Sequence, residues 1–245
     1  MVLLCLCSDT LKANENNLIL DSANAAYAKA DYEKAIKLYE SIINKGQIAP
    51  ELYFNLGNAY FKANINSYAI LNYERAKKLA PNDEDILANL KLANTKTEDK
   101  IEAQPQLFLT GWKNGIVDMM SEKSWSILCI ALVCAALLMF FIYVFTERKG
   151  LKQLGFFMGS FIFILSVIVF FIAKHKYNLT IASTEAVITS PTVTVMGSPN
   201  EKGTKLFVLH EGTKVTITEP ESEWTEVKIA NGNVGWVPTK TIVSI

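Results

Sequence analysis

Residues able to do covalent or metal chemistry are few in this 245-residue chain, and their spacing does not suit it. There are two His: His175 follows a long apolar run and His210 sits in a strand-like stretch, which leaves no pair for a metal site or a Ser-His-Asp arrangement. Cys5 and Cys7 lie in a short apolar leader, while Cys129 and Cys134 lie in an apolar run, so neither pair reads as a disulfide staple or a zinc knuckle. The soluble parts offer no nucleophile paired with a base. A non-enzymatic protein with no cofactor and no metal is expected. Lys+Arg and Asp+Glu are 24 each, and a net charge of zero lacks the basic excess that a nucleic-acid partner requires. What remains is binding chemistry: the amides of Asn24 and Asn58, the rings of Tyr27 and Phe61 one turn later, and the indoles of Trp224 and Trp236.

The elements that place the first four are internal repeats. At an offset of 34 residues Asn24 falls on Asn58, Ala25 on Ala59, Tyr27 on Phe61, Ala35 on Ala69 and Tyr39 on Tyr73. This is the period of the tetratricopeptide (TPR) helix pair. In residues 50–83, Tyr53, Leu56, Gly57, Tyr60, Ala69, Tyr73, Ala76 and Pro81 occupy the positions of that pattern. Gly57 and Ala69 are small where the two helices cross, the three Tyr fill the space around the crossing, and Pro81 ends the second helix. Residues 16–49 form a weaker copy, with Ala23 in place of the Gly and Gln47 in place of the Pro. A third begins at Glu84 but stops after one helix, so residues 84–97 cap a TPR solenoid of two and a half repeats over 16–97. About three repeats is the usual minimum, so a short array needs further support. In such arrays the concave face, lined by the first helix of each repeat, takes peptides. There Asn24 and Asn58 would hold a backbone by paired donor and acceptor, and Tyr27 and Phe61 would add apolar contact. The alternative is that the Asn face solvent and the rings belong to the inter-repeat core.

The middle of the chain is apolar. Nine of the thirteen Phe fall between Phe140 and Phe171. Residues 125–145 and 154–173 are charge-free runs of 21 and 20 residues, and a bilayer core of about 30 Å needs roughly 20 helical residues. Two transmembrane helices are expected, joined by a short loop over 146–153. That loop carries Arg148, Lys149 and Lys152 against Glu147, a bias from which the loop is expected in the cytoplasm and both soluble regions in the periplasm. Residues 1–15 read as a truncated signal-like leader. Gly155, Gly159 and Ser166 suit close helix packing. Within 98–124, Leu107, Phe108, Trp112, Ile116, Val117, Met119 and Met120 form an irregular amphipathic set, read as a helix lying on the membrane surface or as a plain linker.

From 182 to 245 the period falls to two, giving five or six short strands and a small all-β barrel. Asn231-Gly232 marks a hairpin with a type I′ turn. The order of a V-x-V strand, a Ser-Pro turn, LHEGTKV, a Trp and NGNVGWV resembles the bacterial SH3-like (SH3b) domain. Trp224 and Trp236 are its candidate binding surface, although Trp236, next to a hairpin Gly, suits a core position that closes the barrel.

Taken in order, the TPR repeats, the two spans and a β-domain with FVLHEGTKV and GWVP resemble the BatE family, the tetratricopeptide members of the Bacteroidetes aerotolerance (Bat) operons. That family usually starts with a complete signal peptide, and this chain begins MVLLCLC. The resemblance implies a multidomain scaffold in the inner membrane, linked to oxidative-stress tolerance. Its implied partners are von Willebrand A-type Bat proteins and a MoxR-type AAA ATPase. The alternative function is sensing or anchoring of peptidoglycan through the SH3b domain.

Overall fold

A computed structural model describes residues 16–102, 115–181 and 185–245. The leader to residue 15, and Leu107, Phe108 and Trp112, lie outside the described residues.

Local signals set the helices. Helix α1 covers 16–28 and α2 Tyr32–Asn44, where the Asp31 side chain accepts from the Lys34 N–H. Helix α3, Pro50–Lys62, starts on a proline whose missing N–H costs nothing in a first turn. Helix α4 is Asn66–Leu79. Helix α5, Glu84–Thr95, is capped by Asp83, which accepts from the Asp85 and Ile86 N–H groups at 3.1 Å. These five helices resemble a TPR array. The repeat extends to the backbone: Ala30 and Asn64, 34 residues apart, both take positive φ (60° and 64°) in the turn between paired helices. Gly57 is required by contact, because a Cβ there would lie 2.7 Å from two ring carbons of Tyr73. Tyr39, Tyr73, Ile42, Ile70 and Leu71 form the fully buried centre of the stack. Adjacent repeats are tied by the Tyr60 hydroxyl to Glu40 and by Asn66 Nδ2 to the Ala93 carbonyl at 3.0 Å.

Seven antiparallel strands form the C-terminal domain: β1 Glu185–Ile188, β2 Thr192–Met196, β3 Lys205–His210, β4 Lys214–Glu221, β5 Trp224–Lys228, β6 Val234–Pro238 and β7 Ile242–Ser244. Their order is β3-β2-β6-β5-β4-β1-β7. The sequence pattern missed β7, three residues that pair with β1 after a 3-10 turn. The β5–β6 turn also differs from expectation. Only Gly232 has positive φ, 91°. Gly232 N–H donates to Ile229 O at 2.9 Å, and Ile229 N–H donates to Asn233 O at 3.0 Å. This is a three-residue loop ending on a left-handed Gly, not a type I′ turn. The domain's core is aliphatic, from Ala186, Ile188, Val195, Leu209, Val215, Val227 and Val237. Both Trp stand outside it. In β6 the buried residues are Gly235 and Val237, so Trp236 takes the outward register and is half-buried, which corrects the expected core position.

The helical stack and the β-domain belong to one compact body, residues 16–102 with 185–245. Val187 and Ile245 are buried in the helical core, and Ile101, beyond α5, packs on the β core. The stretch from 98 to 101 is therefore part of this body, where sequence had suggested linker.

Residues 115–181 form the second body. A helical turn at 115–118 precedes α6, Glu122–Phe145, and α7, Lys149–Ile181. Both long helices extend past the expected spans, and only Thr146–Arg148 joins them. The most apolar 18-residue stretches within them have mean hydropathies of 3.0 and 2.7, and both helices are long and apolar enough to cross a membrane. Phe140, Phe145, Phe157, Phe161 and Phe171 are all more than half exposed. The helices meet closely at Gly155, where a Cβ would lie 2.9 Å from the Met139 carbonyl oxygen and the Tyr143 nitrogen. The described part of the amphipathic segment is tucked against the helix ends: Val117 is buried, Trp125 Nε1 donates to its carbonyl at 3.1 Å, and Lys176 pairs with Asp118 at 2.7 Å.

Candidate functional site

Helices α1, α3 and α5 side by side leave a cavity of about 270 Å³ lined by Tyr27, Asn58, Phe61, Lys62, Tyr73, Asn89 and Leu92. The chemistry of this cavity is set by one hydrogen bond made twice. Tyr39 donates its hydroxyl to Asn24 Oδ1 at 2.7 Å, and Tyr73 donates to Asn58 Oδ1 at the same distance. In each repeat a Tyr of the second helix, held in the core, thus fixes an Asn of the first helix from behind. Burial pushes the Tyr39 hydroxyl up to about 12, helped by the nearby Tyr27, and raises Tyr73 for the same leading reason, so both remain donors.

At Asn58 a second donor arrives, Asn89 Nδ2 at 2.8 Å. Both lone pairs of its carbonyl oxygen are then used. Among the described residues no acceptor meets its Nδ2, which remains a donor toward the cavity. The expected pairing of donor and acceptor with a peptide backbone is thereby corrected: the acceptor half is taken internally. Lys62 adds a cation, and no lining residue is acidic. Lys96 Nζ lies 3.9 Å from the Phe61 ring centre, a cation–π contact that sets a second cation at the rim.

Of the four residues expected to bind, Tyr27, Asn58 and Phe61 share the cavity, whereas Asn24 is exposed and does not line it. Sequence reasoning missed Lys62, Asn89 and Leu92. Asn89 had a signal, since it lies 34 residues after Asn55. Tyr73 was read only as packing, yet it also orients the amide. The remaining repeat residues, Ala35, Tyr53, Leu56, Tyr60, Ala69, Ala76 and Pro81, line no part of it.

The β-domain carries a separate trough of about 300 Å³, with Trp224, Met196 and Pro238 among hydroxyls of Thr192, Thr194 and Thr241 and the charges of Glu201 and Lys205. Trp236 does not line it. Among the described residues no group of three His, Cys, Asp or Glu side chains is placed to hold a metal ion.

No family model and no curated protein matches the chain. A solved structure, the Sgt2 TPR domain from Aspergillus fumigatus, is similar over 33% of this chain and 54% of its own length, with 27% identity and a TM-score of 0.32. The chain thus spans about half of that domain.

Proposed function

We propose that this protein is a non-enzymatic adaptor, held in a membrane by α6 and α7, that takes a segment of another envelope protein into the cavity between α1, α3 and α5. One observation carries the reading. The hydrogen bonds from Tyr73 and Asn89 spend the Asn58 acceptor inside the fold and leave that amide only a donor to offer in the cavity that Lys62 also lines. Such a surface favours carbonyl and carboxylate groups of an extended partner, while Tyr27, Phe61 and Leu92 cover its apolar side chains.

The exposed phenyl rings of the second body, which water would solvate poorly, support the membrane placement. Because the helical stack and the β-domain pack on each other, any crossings between them are even in number. Two spans satisfy this. With the loop of Arg148, Lys149 and Lys152 in the cytoplasm, both soluble domains face outward. The resemblance to the BatE family, with an SH3b-type β-domain, then supplies the finer reading of a Bat complex component.

Affinity purification of the full chain from mild detergent after brief crosslinking tests this. The expected catch is von Willebrand A-type membrane proteins and a MoxR-type ATPase, lost in Asn58→Asp/Lys62→Glu. Capture unaffected by those substitutions contradicts the cavity reading, and capture of other envelope proteins contradicts the Bat reading alone. The trough around Trp224 favours a second reading, cell-wall binding. Sedimentation of the full chain with purified peptidoglycan, lost in Trp224→Ala, supports it, and no sedimentation removes it.

A further inference from the structure

A helix packed on one side buries about every third or fourth residue, but α4 buries six in succession, Ala69 to Glu74, and Ser67 besides. Both of its faces are covered. The helical stack covers one, through Tyr73 and Ala69. In a longer array the outer face would meet the second helix of a third repeat, and among the described residues no such helix follows α5.

What lies there instead is the loop and strand ends of the β-domain. Ser67, 1% exposed, donates to Glu211 at 2.8 Å. Glu74, 7% exposed, receives Lys214 at 3.0 Å, which also pairs with Glu185 at 3.0 Å. Arg75 and Lys78 donate to the main-chain oxygens of Ser244 and Ile245 at 2.7 and 2.9 Å. Gly212, at the tip of the β3–β4 turn, sits against Ile70 and Thr97 so closely that a Cβ would lie 3.0 and 3.1 Å from them. Past α5, Asp99 accepts from the His210 N–H at 2.7 Å and from Thr213 at 2.6 Å, and its other oxygen meets His210 Nδ1 at 2.8 Å. Two polar residues buried on a helix are costly unless partnered, and the partners of Ser67 and Glu74 come from the β-domain.

We infer that the β-domain is the terminal cap of the helical array, taking the place against α4 that a further helix takes in a longer array and holding α4 in the position from which Tyr73 fixes Asn58. The surface formed by α4 and residues 97–101 is thus a docking site whose occupant is this chain's own HEGTK loop, residues 210–214. Occupancy of the cavity and seating of the β-domain draw on the same helix, so each strengthens the other by the same factor.

Hydrogen exchange of the full chain in detergent micelles tests the inference without reference to any partner. In the unaltered protein, amides of α4 and of 210–214 are protected. Lys214→Met leaves Glu74 buried without its cation, and exchange in α4 and α5 rises about tenfold or more while β5 and β6 stay protected. Glu74→Met/Lys214→Met restores slow exchange, because apolar side chains of similar size replace the pair. Should Lys214→Met disturb the β-domain itself, Ser67→Trp wedges the same interface from the helical side and gives the same pattern. Faster exchange confined to 210–214, with α4 and α5 unchanged, overturns the capping role. Unprotected 210–214 in the unaltered protein overturns the docking itself.

Discussion

Gly46 and Gly212 share a backbone conformation but not a setting, and their alanine variants separate the cost of a turn from the cost of crowding a helix. Gly46 has φ +85° and a Cβ there would meet nothing within 4 Å. Gly212 has φ +86°, and its Cβ would approach Ile70 Cδ1 to 3.0 Å and Thr97 Oγ1 to 3.1 Å. An Ala held in the left-handed region costs about 1 kcal/mol relative to Gly, the same at both positions. Ile70 is fully buried and can yield only by disturbing the helical core, so overpacking at Gly212 adds about 1–2 kcal/mol. Gly46→Ala is therefore expected to lose about 1 kcal/mol and Gly212→Ala about 2–3 kcal/mol. Pulse proteolysis of the full chain in micelles across a urea series reads both losses. Equal losses would refute the packing of the β3–β4 turn on α4, since conformation alone would then account for each.

Thr97 is 7% exposed and its Oγ1 is buried with no hydrogen-bond partner, so Thr97→Val removes a stranded hydroxyl and is expected to stabilise by about 1 kcal/mol in the same assay. Ala30 pays for its positive φ where Asn64 tolerates it, and Ala30→Gly is expected to gain about 0.5–1 kcal/mol. The interface also responds to pH. The hydrogen bond to Asp99 raises His210 above its ordinary 6.5, and burial, which alone would raise Asp99, is outweighed by hydrogen bonds from His210 and Thr213 that lower it. Stability from His210 is present in full below 6.5 and lost as pH rises through its folded value; that from Asp99 is present above 3.8 and lost as pH falls below it. Exchange at 210–214 should accordingly slow from pH 8 to 6 after correction for the intrinsic rate, and His210→Asn should remove that slope. In the cavity, Asn58→Asp turns a donor into an anion beside the ligand's acceptors and is expected to weaken partner binding about tenfold or more, whereas Asn24→Asp, outside the cavity, leaves it within about twofold.

The helical pairs were legible because their spacing is covalent. A 34-residue period with Gly57 and Tyr73 at fixed positions leaves one way for two helices to cross, and the 2.7 Å approach at Gly57 is that constraint seen in space. Strand existence was legible for the same reason, apart from β7, whose three residues are too few to show alternation. The orientation of Trp236 was not, because a hairpin Gly fixes a turn without fixing which strand face looks inward. The cavity was half legible. Asn58 and Phe61 stood out by repetition, but the loss of the amide's acceptor depends on Asn89 reaching across from α5, a contact that no local pattern encodes. Docking of the β-domain was hidden for a like reason. Its partners are 111 to 169 residues apart in the chain. Still, α4 carried a trace of it, since a polar Ser67 and Glu74 flank a stretch that is apolar or aromatic but for Asn72 and that a two-sided burial explains.

Photocrosslinking in intact membranes tests the central claim most directly, with p-benzoylphenylalanine placed at Phe61 of the full chain and, in a parallel chain, at the exposed Lys37 of α2. Adducts with envelope proteins that form from position 61, fail from position 37 and disappear on adding Asn58→Asp are the result this account predicts. Adducts that form equally from both positions, or persist when Asn58 is altered, would contradict it.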